Sequence, residues 1–210
     1  MTAEILSPPT TSQPPTTSLA TDPARITGMA CRNCGLAQSL AVAYVCPACF
    51  GPLEVTYDLA AVATTLTREA IGRRAPGIWR YLELLPVDAP PTRSLPVGST
   101  PLLAADRLAP VLGVDRLWLK DDTRNPSLSF KDRAVAMAAA QAVAFGLPAL
   151  ACASTGNLAG ATAAAAAAIG LPAYVFIPAD LEPAKIDHAL AYGATVVPID
   201  GTYDDVNRLC

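Results

Sequence analysis

The chain has 210 residues, is 52% hydrophobic and carries a net charge of −3, so it can bury a core large enough for one to two domains. Charged residues make up only 16% of it, which leaves no basic surplus to neutralise a phosphate backbone and excludes nucleic acid as the main partner. The opening stretch, MTAEILSPPTTSQPPTTS, has neither the positive start nor the apolar core of a secretory signal. Its Pro, Ser and Thr content predicts a mobile tail over residues 1–24. A cytoplasmic, reducing setting is the expectation that follows. There the six cysteines read as thiols or metal ligands rather than as disulfides.

Residues 25–58 come next and carry two C-x2-C knuckles, Cys31 with Cys34 and, eleven residues later, Cys46 with Cys49. Two such pairs supply four thiolates in a tetrahedron, the geometry of a structural zinc site. A closed four-sulfur site has no open position, so its expected role is to fold a small zinc-ribbon-like module rather than to catalyse. Residues 59–95 form a helical linker region with Ile71, Ile78, Trp79, Leu82 and Leu85, followed by the proline-rich connector VDAPPTR. Arg68, Arg73, Arg74 and Arg80 are expected to be solvated there.

From about residue 96 the pattern alternates. The expected order is a helix around 104–112, the strand RLWLK, a polar turn and a helix from about Phe130 to Phe145. There follow the strand ALACA, a helix over 157–169, the strand AYVFIP, a helix over 183–192, the strand TVVPI and a helix starting near Asp204. Gly146, Gly170 and Gly193 fall where helix C-caps are wanted. Such βαβ repetition predicts an open, mostly parallel sheet with helices on both faces and ligands at the C-terminal ends of the strands. The uncharged run Leu158 to Ala179 is long enough to span a bilayer, yet it is mostly alanine and is broken by Gly170, Pro172 and Pro178.

Two polar strand-to-helix turns therefore fall at the ligand edge. In NPSLSFKDR, Ser129 and Asp132 have the spacing of an N-cap and its partner, which puts Lys131 in the first helical turn. The positive end of a helix dipole disfavours an ammonium and so favours the neutral amine that attacks a carbonyl; the alternative is a solvated lysine beside Asp132 and Arg133. In STGN, residues 154–157, free amides, two hydroxyls and a carboxamide could take a small anion such as a substrate carboxylate, or Ser154 or Thr155 could simply cap the helix. Gly156 and Gly160 form a G-x-x-x-G that carries little information outside a membrane. His188, the only histidine, reads as a helix-surface residue without a partner, and Cys152 and Cys210 as non-catalytic. Asp121 and Asp122 read as a local ion-pair set with Arg124. No P-loop and no G-x-G-x-x-G is present.

Together, KDDTRNPSLSFKDR at 120–133, ASTGN at 153–157 and YVFIPA at 174–179 resemble pyridoxal-phosphate enzymes of the tryptophan-synthase-β fold type, and within them the threonine synthases. The segment ending FGPLEVTYD at 50–58 is similar to the N-terminal extension that some of these carry. The resemblance implies pyridoxal 5'-phosphate as cofactor, with Lys131 as Schiff-base lysine, Phe130 beside the cofactor ring, Asn157 at its phenolic oxygen, and Ser154 and Thr155 on the substrate carboxylate. It implies a lyase that converts O-phospho-L-homoserine and water to L-threonine and phosphate, a small amino-acid substrate, no membrane partner and a homodimeric full-length parent. Threonine dehydratase, diaminopropionate ammonia-lyase and cysteate synthase use similar turns and are the rival enzymes; a zinc-ribbon interaction protein without catalysis is the rival of another class. The chain departs from the pattern at Leu128, where many relatives carry glycine, and a different loop course is expected there. The family's later glycine-rich phosphate cup has no counterpart, so residues 96–210 are expected to be the truncated N-terminal part of the catalytic domain, with weak cofactor retention on their own.

Overall fold

A computed structural model describes residues 25–41 and 43–210; the tail expected over 1–24 lies outside the described residues. The first unit is a small antiparallel sheet of β1 (Ile26–Cys31), β2 (Ala37–Gln38) and β3 (Leu53–Tyr57), in the order β2-β1-β3. The Arg25 guanidinium leads out of it and donates to the carbonyls of Leu82 and Val87 at 3.0 and 2.8 Å, fastening the module to the linker region.

That linker region holds α1 (Leu59–Thr65), α2 (Arg68–Arg73) and a 3-10 stretch at Ile78–Leu84. Asp58 and Thr67 cap the two helices through their side chains, as short polar residues at N-caps do. Two of its arginines are not solvated as expected. Arg74 makes a bidentate pair with Glu83, and Arg80 donates to the carbonyls of Ile71 and Arg74. Carbonyls left open where short helices end attract just such donors.

The expected helix at 104–112 is instead β4 (Leu102–Ala104), a turn and a 3-10 turn at Pro110–Leu112. Pro110 has no N–H to continue a helix, and β4 finds an antiparallel partner in β5 (Trp118–Lys120). Strand β5 therefore joins a two-stranded antiparallel sheet and not the parallel one.

The parallel sheet contains β6 (Leu150–Ala153), β7 (Ala173–Pro178) and β8 (Thr195–Ile199), in that order. Helices α3 (Lys131–Ala144), α4 (Asn157–Ile169) and α5 (Asp187–Ala191) alternate with these strands, and α6 (Tyr203–Leu209) closes the series. Gly146, Gly170 and Gly193 all take positive φ, as the C-cap reading requires. The core gathers Val135, Ala139 and Ala142 of α3, the alanines of α4, and Ala173, Val175 and Ile177 of β7. Val206 of α6 is buried but stands outside that cluster, as a helix on the opposite face of the sheet would be. This is the doubly covered α/β architecture that the pattern predicts.

Helix α4 lies close to its neighbours because its middle is alanine and glycine. A Cβ added at Gly160 would meet His188 Nδ1 at 2.5 Å, so this glycine makes room for the α5 histidine. His188, expected to lack a partner, is half-buried there, with its ring 5.3 Å from that of Tyr192. No helix among the described residues is long and apolar enough to cross a membrane.

Candidate active site and metal centre

The lysine-bearing loop runs from the end of β5 to the start of α3, and buried polar side chains fix its course. Asn125 is 2% exposed; its Oδ1 accepts from Gly98 N at 3.0 Å, and its Nδ2 donates to the Asp122 carbonyl at 3.1 Å. The Asp122 carboxylate pairs with Arg133 of α3 rather than with Arg124, accepting from Nε at 3.0 Å and from Nη2 at 2.8 Å. The Thr100 hydroxyl also donates to it at 2.6 Å. The Arg133 guanidinium, then this hydroxyl, hold the Asp122 carboxyl well below the usual carboxylate range. Asp121 accepts from Thr123 within its own turn.

At the loop's tip the expected capping box does not form. Ser129 Oγ accepts from Lys131 N at 3.2 Å, while Asp132 reaches past it to Ser127, accepting from the Ser127 amide at 2.8 Å and from its hydroxyl at 2.6 Å. Between them, Leu128 adopts φ +60°, a left-handed conformation that favours glycine. Leucine thus stands at a φ that suits glycine, and its side chain is 71% exposed, so little burial compensates. Leu128→Gly is expected to raise stability by about 1 kcal/mol, read as a higher urea midpoint at unchanged slope.

Lys131 is half-buried at the first position of α3, with Nζ 4.8 Å from the centroid of the Phe130 ring. The second turn follows β6. Ser154 is buried, and its Oγ accepts from Gly156 N at 3.3 Å and from Ala159 N at 3.2 Å, so it ties down the first turn of α4 from two residues ahead of the N-cap, which is Gly156. Its own hydroxyl proton remains to donate. Thr155 is half-buried, and Asn157 is exposed at the first position of α4. Helices α3 and α4 pack together and each hands over to a strand of the parallel sheet, which brings both N-terminal turns to the same edge. Sequence reasoning placed these two turns but missed Asn125, the Asp132–Ser127 contact and the Asp122–Arg133 pair, whose partners are set by the loop's path.

The four knuckle sulfurs lie within 4.8 Å of one another. Cys31 and Cys49 are 3.5 Å apart and Cys34 and Cys46 3.7 Å, close to the edge of about 3.8 Å expected for a tetrahedron with zinc–sulfur bonds of about 2.3 Å. Amides of Asn33 and Cys34 point at Cys31 Sγ at 3.4 and 3.5 Å. A Cβ at Gly51 would stand 2.8 Å from the Asn33 side chain and 3.0 Å from Cys31 Sγ, so this glycine is needed for the knuckles to close. Sequence reasoning passed over it. Hydrogen bonds from the Asn33 side chain and the Gly51 backbone lower Cys49 to about 6. The backbone of Leu36 favours the Cys34 thiolate, but the surrounding sulfurs outweigh it and push that thiol up to about 12. Four sulfurs this close shed their protons together when a cation lies among them, and the residues fit such an ion.

Residues 93–210 match the family described as pyridoxal-phosphate dependent enzyme. The chain belongs to this family. As a pyridoxal-phosphate enzyme it is 38% identical to a threonine synthase of Methanosarcina acetivorans over 186 residues, covering 86% of this chain and 45% of the relative. It is 36% identical to a threonine synthase of Methanocaldococcus jannaschii, covering 83% of this chain and 44% of the relative. Among solved structures, holo diaminopropionate ammonia lyase from Escherichia coli superimposes with a TM-score of 0.48 at 29% identity, over 52% of this chain and 33% of that one. The chain spans about half the length of the curated relatives it matches. Both turns of the candidate site lie in the segment that matches the pyridoxal-phosphate enzymes, whereas the four cysteines precede it.

Proposed function

We propose that these residues supply the lysine-bearing part of a cytoplasmic threonine synthase, which turns O-phospho-L-homoserine and water into L-threonine and phosphate. The observation that carries this reading is the likeness to two archaeal threonine synthases over more than four-fifths of the chain, well beyond the segment shared with the family at large. Support for the cofactor comes from the residues at the two turns. The Lys131 amine has an aromatic ring beside it, and the adjacent acid, Asp132, engages both its oxygens with Ser127. Bound pyridoxal phosphate supplies a ring that stores the electrons released when a substrate C–H bond breaks.

Each residue then has a task. Lys131 would hold the cofactor through its amine and, with that amine free, would move protons at the substrate's Cα and Cβ. Phe130 offers a flat apolar face, and Asn157 a carboxamide for the phenolic oxygen. Ser154 donates its free hydroxyl proton, with Thr155 beside it, to the substrate carboxylate. The cysteine module holds a structural zinc ion and takes no part in the chemistry.

The test is product analysis in a protein spanning the relatives' full length. O-phospho-L-homoserine is expected to yield phosphate and L-threonine in equal amounts. Release of ammonia and a keto acid from serine or threonine, without threonine synthesis, would favour a dehydratase instead.

A further inference from the structure

We infer that Asp132 is a positioning residue that clasps the loop from which Lys131 emerges. This rests on the reading of Lys131 as the cofactor-holding lysine. Asp132 is 2% exposed, and its two oxygens accept from the amide and the hydroxyl of Ser127. These contacts close a ring over residues 127–132, with Lys131 inside it. The ring contains the strained Leu128 backbone, which would relax if released, and Ser127 and Ser129 are buried as well. Asp132 also lines a small cavity whose other walls, Val97, Ala136 and Ala139 among them, are apolar except for Ser94, and its side-chain hydrogen bonds both go to Ser127. A carboxylate so placed has Ser127 as its main anchor, and charge-assisted bonds of this kind are stronger than neutral ones. Asp132 thus fixes the backbone of its neighbour, and with it the arc that the lysine amine sweeps.

The chain has three lysines, Lys120, Lys131 and Lys185, so the 210-residue protein carries its own internal reference. Treatment with pyridoxal phosphate and borohydride, followed by peptide mass spectrometry, gives the share of label on each. In the native chain Lys131 is expected to dominate. Asp132→Ala should lower the label on Lys131 about tenfold relative to that on Lys120 and Lys185. Asp132→Asn should keep most of it, because its Oδ1 can accept from the Ser127 amide while the Ser127 hydroxyl turns to accept from Nδ2. Hydrogen exchange reads the clasp without any cofactor: Asp132→Ala should speed exchange at residues 127–131 and leave the bodies of α3 and α4 protected. An unchanged exchange rate there overturns the clasp. Asp132→Asn as damaging as Asp132→Ala overturns positioning in favour of charge. If Asp132→Ala unfolds the chain, Ser127→Ala removes one of the two bonds from the other side and must itself speed local exchange, or the inference fails. Equal labelling of all three lysines in the native chain would count against the proposed function, and the exchange experiment would still decide the clasp.

Discussion

Lys131→Ala is expected to abolish capture of pyridoxal phosphate at the head of α3. In the native protein, borohydride reduction should leave a pyridoxyl group on the peptide containing residue 131, and reduction traps even a loosely held cofactor. The substitution removes the nucleophile itself, so the visible band of a lysine-bound cofactor should vanish along with that label. Lys131→Arg is the informative companion, since it keeps the positive charge over the Phe130 ring but offers no amine for a Schiff base. Both variants should fail alike. In a protein spanning the relatives' full length, loss of the proton-transfer role adds a fall in turnover of about a thousandfold. Fold is not at stake, because the Lys131 side chain contributes no hydrogen bond to the clasp that Asp132 makes with Ser127. A Lys131→Ala protein that keeps the visible band would sink the assignment.

Removal of zinc is expected to unfold the cysteine module and leave the α/β part intact. Structural zinc contributes about 10–16 kcal/mol in small modules, which exceeds what a three-stranded sheet with little core of its own can supply. Cys46 is fully buried, so Cys46→Ser should be the most damaging single change among the four ligands. The expected result is one zinc ion per native chain, its loss on chelation, and rapid hydrogen exchange across β1 and β3. No residue of the module belongs to the core that unites α3, α4 and β7, so protection there should survive. Cobalt substituted for zinc should give the strong charge-transfer bands of a four-thiolate site. Protein purified under reducing conditions with no metal, and with β1 and β3 still protected, would remove the zinc proposal.

Much of the α/β part was legible because its signals are local. The bounds expected for α4, β7 and β8 match those observed, since an alanine run, β-branched strands and capping glycines each mark their own limits. The stretch at 104–112 was misread for the opposite reason: whether Leu102–Ala104 forms a strand depends on β5, fourteen residues on, and an apolar pattern cannot name its partner. Side-chain pairing failed in the same way. Arg74 with Glu83, Asp122 with Arg133 and Asp132 with Ser127 are choices made by the path of the chain, and nearer candidates in sequence were passed over. At the candidate site, Lys131 and Asn157 stand at helix starts as spacing predicts, while the scaffold that holds the lysine loop came from the structure. Gly51 and Gly160 show a third kind of omission: even where a G-x-x-x-G spacing marks Gly160, a missing side chain does not name the neighbour it makes room for.

The alanines of α4 act as a spacer whose thickness is one methyl group. Ala161, Ala163 and Ala166 are fully buried against the sheet and α3, with Asn157 at the free end of the same rod. A bulkier residue at any of the three would wedge the rod away from the sheet and tilt that end. Residues a full turn or more from the candidate site thereby set the height at which its carboxamide is presented. Drift in this featureless run should read out at Asn157 as misalignment, long before it reads out as loss of fold.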